Sequence, residues 1–155
     1  MAFCRCPTRS TVERMELHTS GVTVESERRL ECLVVTGDIE RTLAAEGVDD
    51  GLVLARTGHT SAALTTNEAE EHLLQDMLEA YTDLVPPGAW YFHDQLHIDT
   101  DTQRNAYAHI LASFVRRPVL VPLIDGELQF GGYEDVLFIE LDGPRQRTID
   151  VTVLH

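Results

Sequence analysis

Apolar and polar residues roughly alternate from Met15 to Val24, with Met15, Leu17, Val22 and Val24 set among Glu16, His18, Thr19 and Thr23. A period of two predicts an early strand and turn. Leu30–Val35 continues as a second strand. Thr36 or Asp38 then caps a short helix through Ile39, Leu43 and Ala44 that Gly47 ends. Gly51–Arg56 and Ala62–Thr66 read as two β segments separated by His59-Thr60-Ser61. Asn67 looks like the cap of a long helix, with Glu70 at its third position and Leu73, Leu74, Met77, Leu78, Tyr81 and Leu84 at helical spacing before Pro86-Pro87-Gly88. That stripe is expected to pack into the core. Residues 86–104 are loop-like. A further helix is predicted over Gln103–Val115, with Ala106, Ile110 and Phe114 on one side. Beyond Pro118 the chain reads as strand and turn: Val119–Ile124, Asp125-Gly126, Leu128–Phe130, Val136–Leu141 and Thr148–Leu154. Many short strands with two or three helices make an α+β chain, a compact, β-rich, sandwich-like single domain.

The charge changes this picture little but narrows the partners. The chain has 155 residues, 26 acidic and 12 basic, for a formal charge of −14. All twelve basic residues are arginine; lysine is absent. So acidic a surface repels phosphate backbones, which disfavours nucleic acid as a partner. No apolar run approaches the roughly 20 residues of a membrane span, and no secretory leader is evident at Met1–Pro7, so a cytoplasmic location is expected. The loss of lysine along the whole chain points to adaptation to high salt, a halophilic source, rather than to a local cation site. Three cysteines, Cys4, Cys6 and Cys32, do not form a disulfide framework. Residues 1–14 read as a disordered extension carrying two incidental thiols, ahead of a domain over 15–155.

Seven histidines offer chemistry. His155 is terminal, His72 stands beside Glu70 and Glu71, His18 falls in the first strand, and His97 reads as a loop residue. His59, His93 and His109 each fall at an element edge or on a predicted helix among short polar side chains. They are far apart in sequence, and spacing alone does not join them.

Longer motifs do. Gly58-His59-Thr60-Ser61-Ala62-Ala63-Leu64-Thr65-Thr66-Asn67-Glu68 resembles the H-T-[ST]-A-x-L-x-x-N-E signature of the YjbQ family, also called secondary thiamine-phosphate synthases. Tyr91-Phe92-His93-Asp94 is similar to that family's Y-x-H-D, and Ala108–Ser113 to its A-H-[IL]-K-[AS]-S, with Leu111 in place of the lysine. Gly131-Gly132-Tyr133-Glu134-Asp135-Val136 stands where the family has G-T-W-Q-G-[IV], so an aromatic is kept and a negative charge added. Glu140–Arg147 resembles E-x-D-G-P-R-x-R.

The resemblance implies a β-rich α+β domain that forms a homotrimer, with His59, His93 and His109 as ligands of a divalent metal, zinc or another transition ion. Asp94 would orient a ligand, and Glu68 would act as acid or base; a plain helix-dipole carboxylate is the alternative for Glu68. Arg145 and Arg147, on one face of a strand by alternation, would grip a phosphorylated substrate with Thr60, Ser61 and the amides opening the helix at Asn67. The activity implied is thiamine-phosphate synthesis, in which a thiazole phosphate displaces pyrophosphate from a pyrimidine pyrophosphate. Two alternatives stand beside it. One is a metal-dependent hydrolase or lyase in which Glu68 or Glu140 handles the proton. The other is a trimeric protein that binds metal or an anion without turnover.

Overall fold

A computed structural model describes residues 16–95 and 104–155. The expected N-terminal extension and its two thiols, His97, and the Asp99–Asp101 stretch lie outside the described residues. The chain runs β1 (Leu17–Glu25), β2 (Glu31–Val34), α1 (Thr36–Glu46), β3 (Gly51–Thr57), β4 (Ala62–Asn67), α2 (Glu71–Leu84), α3 (Phe92–Gln95), α4 (Ala106–Val115), β5 (Val119–Ile124), β6 (Glu127–Leu128), β7 (Asp135–Glu140) and β8 (Gln146–Leu154). The α+β class is as expected, with the one-turn α3 added inside the segment read as loop.

Two antiparallel sheets carry the fold. The larger has the order β1-β8-β3-β5-β6 and the smaller β2-β7-β4. Strands of the larger sheet bury alternate side chains, as in β5, where Val119, Val121 and Leu123 point inward. Those residues meet Val53, Ala55, Ile149 and Val151 of the same sheet and Leu64, Val136 and Phe138 of the smaller one; Ile39 and Leu43 of α1 complete this first core. Gly47 ends α1 in the left-handed conformation at φ 68°, a region open to glycine at no steric cost.

The smaller sheet is covered on both faces. Phe138 and Leu64 face the first core. Ile139, Leu141 and Ala63 face a second core, made with Tyr107, Ala108, Leu111 and Ala112 of α4. That explains why Val136–Ile139 reads as an unbroken apolar run rather than an alternating one. The molecule is thus layered as large sheet, small sheet and helices.

Two sequence expectations need correction. Asn67 does not open a helix: it continues β4, its Cα paired with Asp135 of β7. The helix begins four residues later, at Glu71, where the carboxylate of Glu70 accepts from the backbone N–H groups of His72 and Leu73. Tertiary strand pairing overrides a good local capping sequence here. The stripe of α2 also stops short of the core: Leu73, Leu74, Met77, Leu78 and Tyr81 are half-buried, and no residue of the helix is fully buried. No described helix is long and apolar enough to cross a membrane.

Candidate functional site

The side chains singled out by sequence divide into a buried group and an accessible one. The buried group lies where β7 turns into β8. Glu140 is fully buried and receives two bonds from one guanidinium: Arg147 Nε to Oε2 at 2.7 Å and Nη2 to Oε1 at 2.6 Å. Its Oε1 also accepts from the backbone N–H of Leu141 and Asp142, at 3.1 and 2.9 Å, and the Ser26 hydroxyl donates to Oε2. Arg147 further reaches the Ser61 hydroxyl at 3.1 Å. Arg145 pairs with the buried carboxylate of Asp142, Nη2 to Oδ2 at 3.0 Å, and its Nε donates to the Asp142 carbonyl.

This arrangement corrects three expectations. Glu140 is sealed beneath its partners and offers no proton route to a ligand. Arg147 spends its fork on Glu140, and Arg145 spends its own on Asp142, so neither is aimed at a phosphate. Ser61, also buried, belongs to the same closed network. The helix amides expected to bind an anion at Asn67 are likewise absent from that position; those of α2 are taken by Glu70. Asn67 and the exposed Glu68 line a separate shallow depression with Gly131, Gly132, Tyr133 and Glu134.

The accessible group is built by α3 and α4. Asp94 is buried, and its Oδ1 accepts from Ala106 N–H at 3.0 Å, so one carboxylate caps α4 and ties α3 to it. That tie places the preceding residue, His93, against His109: the ring centroids are 5.2 Å apart at 81°, edge to face. Asp94 therefore acts through position, holding the two histidines together. Around them Tyr91, Phe92, Ala106 and Ile110 line a mainly apolar cleft of about 490 Å³.

Hydrogen bonds set the ring tautomers. His109 Nδ1 stands 3.2 Å from the Thr60 carbonyl. A carbonyl only accepts, so Nδ1 carries the hydrogen and Nε2 keeps its lone pair in the neutral ring. His59 is the converse: its Nε2 accepts from Thr148 N–H at 3.1 Å, so the hydrogen sits on Nδ1. Burial, and then the nearby Arg147 charge, hold His59 below the ordinary imidazole value. It stays neutral.

These bonds also test the expected metal triad. His93 and His109 come together, but His59 turns its Nε2 into the β8 backbone, and no three His, Cys, Asp or Glu side chains among the described residues are grouped to hold a metal ion. Among the described residues the three-histidine zinc site is therefore corrected to a histidine pair with a third imidazole held apart.

With this geometry in place, the relatives decide the family. The sequence profile of the UPF0047 protein YjbQ-like family matches residues 20–155. The chain belongs to the YjbQ (UPF0047) family. A UPF0047 protein of Archaeoglobus fulgidus is 40% identical over 133 residues, covering 86% of this chain and 98% of its own length. Among solved structures, a YbjQ-like protein of unknown function from Sulfolobus solfataricus superposes with a TM-score of 0.81 at 30% identity, covering 91% of this chain and 99% of its own. A hypothetical protein from Aeropyrum pernix gives 0.80 at 35% identity, with 89% and 98% coverage.

These relatives correct the functional expectation. They carry the family name or a description of unknown function, and none carries thiamine-phosphate synthesis or a transferase activity. Of the two arginines that were to bind the phosphates, Arg147 is buried against Glu140 and Arg145 pairs with Asp142 from the surface. Sequence reasoning missed the Tyr91–Ile110 cleft as a binding surface. The signal for it was the run Trp90-Tyr91-Phe92, three aromatics in a stretch too polar to bury them.

Proposed function

We propose that this YjbQ-family protein binds a small organic molecule in the Tyr91–Ile110 cleft, with an apolar, flat body against the aromatic wall and a polar end at the His93–His109 pair. The observation that carries this reading is the cleft itself: about 490 Å³ of mostly apolar wall with two imidazoles on its margin. Sites for small ligands commonly combine an apolar cavity with a few convergent polar groups. Phe92 is 82% exposed, an unusual state for so large an apolar side chain unless something covers it. With Nδ1 donating to the Thr60 carbonyl, the neutral tautomer of His109 that this bond selects would offer its Nε2 lone pair to a hydroxyl or N–H donor on the ligand.

The molecule carries its own reporter. Trp90 is the sole tryptophan, and its ring packs edge-on against Phe92 at 4.5 Å between centroids. Phenol, a neutral aromatic with one donor, is the probe. A saturable change in Trp90 fluorescence, with a Kd on the order of 1 mM for so small a ligand, is expected. His109→Ala should weaken phenol while leaving toluene unchanged, and Ile110→Glu, which puts a charge on the wall, should abolish both. A response that never saturates, or that survives Ile110→Glu, would overturn the proposal.

A further inference from the structure

His109 lines a second, smaller cavity on its other side. Thr60, Ala112, Ser113 and Arg116 complete this pocket of about 220 Å³. Its lining is also largely apolar, but one cationic side chain and two hydroxyls stand in it where the first cavity has an aromatic wall. We propose that the two cavities form one bipartite site centred on His109, and that its ligand is an organic anion: an apolar body in the Tyr91–Ile110 cleft and a phosphate or carboxylate head in the pocket beside Arg116. This rests on the reading of the apolar cleft as a ligand site.

Most described cations of the protein are engaged within the fold. Arg145 and Arg147 are neutralised by Asp142 and Glu140, Arg41 by Asp38, and Arg56 by Asp150. Arg29 covers the Tyr107 ring and donates to the Arg104 carbonyl. Arg116 makes no ion pair among the described residues. Arg28 and Arg117 also make no ion pair among the described residues and line cavities, but those cavities carry Glu31 and Glu71, and Glu134, whereas the pocket at Arg116 carries no carboxylate. A guanidinium fork grips an oxyanion through two parallel N–H donors.

The surrounding groups suit the same ligand. The Thr60 hydroxyl stands at the rim with its donor unspent among the described hydrogen bonds, while its carbonyl fixes the His109 ring. Ser113 donates to the Ile110 carbonyl at 2.6 Å, so its oxygen serves as an acceptor for a protonated head. A competing reading makes Arg116 a counter-charge to the carboxyl end of α4, whose last carbonyls carry partial negative charge. That role requires no cavity and predicts no ligand preference, so the two readings separate in a binding experiment.

The experiment compares phenol, phenyl phosphate, benzoate and inorganic phosphate by Trp90 fluorescence and calorimetry at one low ionic strength. Phenyl phosphate or benzoate should bind at least about tenfold more tightly than phenol, the advantage shrinking as salt screens the charge. Whichever of the two is preferred identifies the head as phosphate or carboxylate. Arg116→Ala should erase that advantage and leave phenol binding unchanged; Arg116→Lys, which keeps the charge without the fork, should restore part of it. An advantage that survives Arg116→Ala, or no advantage at all, would overturn the proposal. Failure of phenol to bind, with Arg116-dependent binding of inorganic phosphate retained, would instead overturn the apolar cleft and leave the anion pocket standing.

Discussion

Arg147 and Arg116 show what burial does to the same side chain. Arg147 is buried, bonded twice to Glu140 and once to Ser61, and each oxygen of its partner carboxylate has a further donor. Arg116 is exposed at the end of α4 and faces a cavity without an ionic partner among the described residues. The first arrangement must be complete, because a charge in a low-dielectric interior is costly unless paired and hydrogen-bonded. The second can stay incomplete, because water solvates it until something better arrives. In this molecule the charge that holds the fold and the charge available to a ligand are carried by different arginines, and only the first belongs to a motif that reads as phosphate-binding.

The most severe way to break the comparison is to open the buried pair. Glu140→Ala leaves Arg147 desolvated and alone, and should cost about 3–5 kcal/mol in denaturant unfolding. Glu140→Leu combined with Arg147→Met should recover part of that loss. The remainder measures Ser26 and the two backbone N–H groups, which lose their acceptor in the double variant. If Glu140→Ala unfolds at the wild-type midpoint, the network is not holding the β7–β8 turn.

Two smaller changes probe the shell around that pair. A Cβ on Gly143 would press on the Arg28 carbonyl and lie 2.7 Å from Ser26 Oγ, with backbone on one side unable to yield. Gly143→Ala should therefore cost about 1–3 kcal/mol. Tyr107 is fully buried and donates to the Leu141 carbonyl at 2.5 Å. Tyr107→Phe strands that carbonyl, with an expected loss of about 1–3 kcal/mol and no effect on phenol binding.

A third class of charge, exposed and local, sits at the start of α2. The Glu70 carboxyl is held down at about 2, first by the His72 N–H, then by the His72 ring and the Leu73 N–H; His72 is raised in turn by Glu70. Glu70 is depressed, so its support of the helix start is present above its ordinary value of 4.5 and is lost as pH falls toward 2. His72 is raised, so its support is complete below its ordinary 6.5 and is lost as pH rises through the raised value. Protection of the His72 and Leu73 amides, relative to the intrinsic exchange rate at each pH, should be greatest between those limits. Glu70→Gln should flatten the acid side. Because α2 buries no residue fully, the change should stay in this helix rather than unfold the protein.

How far the sequence disclosed this division depended on whether a signal was local. Strands β3, β5 and β8 were legible because alternation in sequence is alternation in burial. The start of α2 was not, since Asn67 has good capping chemistry and only the ladder to Asp135 shows it is in a strand. His93 and His109 were legible as candidates. Their approach depends on Asp94 bonding across to Ala106, a contact twelve residues apart that no periodicity reports. Arg145 and Arg147 share a motif but not an environment: Arg145 precedes β8 and is exposed, whereas Arg147 is buried against Glu140, and a linear motif does not separate such partners from site residues. Arg116, in the ordinary run Arg116-Arg117-Pro118, carries no motif and becomes visible only through the cavity it faces.

The mildest substitution sharpens the comparison most. Arg116→Ala removes an exposed side chain without an ionic partner among the described residues, so unfolding free energy should stay within about 0.5 kcal/mol of wild type. The same chemical change at Arg147 should cost several kcal/mol. If Arg116→Ala is instead as damaging as Arg147→Ala, Arg116 is a structural counter-charge for α4 and its pocket has no claim on a ligand. A neutral result removes the structural counter-charge reading, and the comparison of phenyl phosphate and benzoate with phenol then decides whether the Arg116 charge meets an anion from outside.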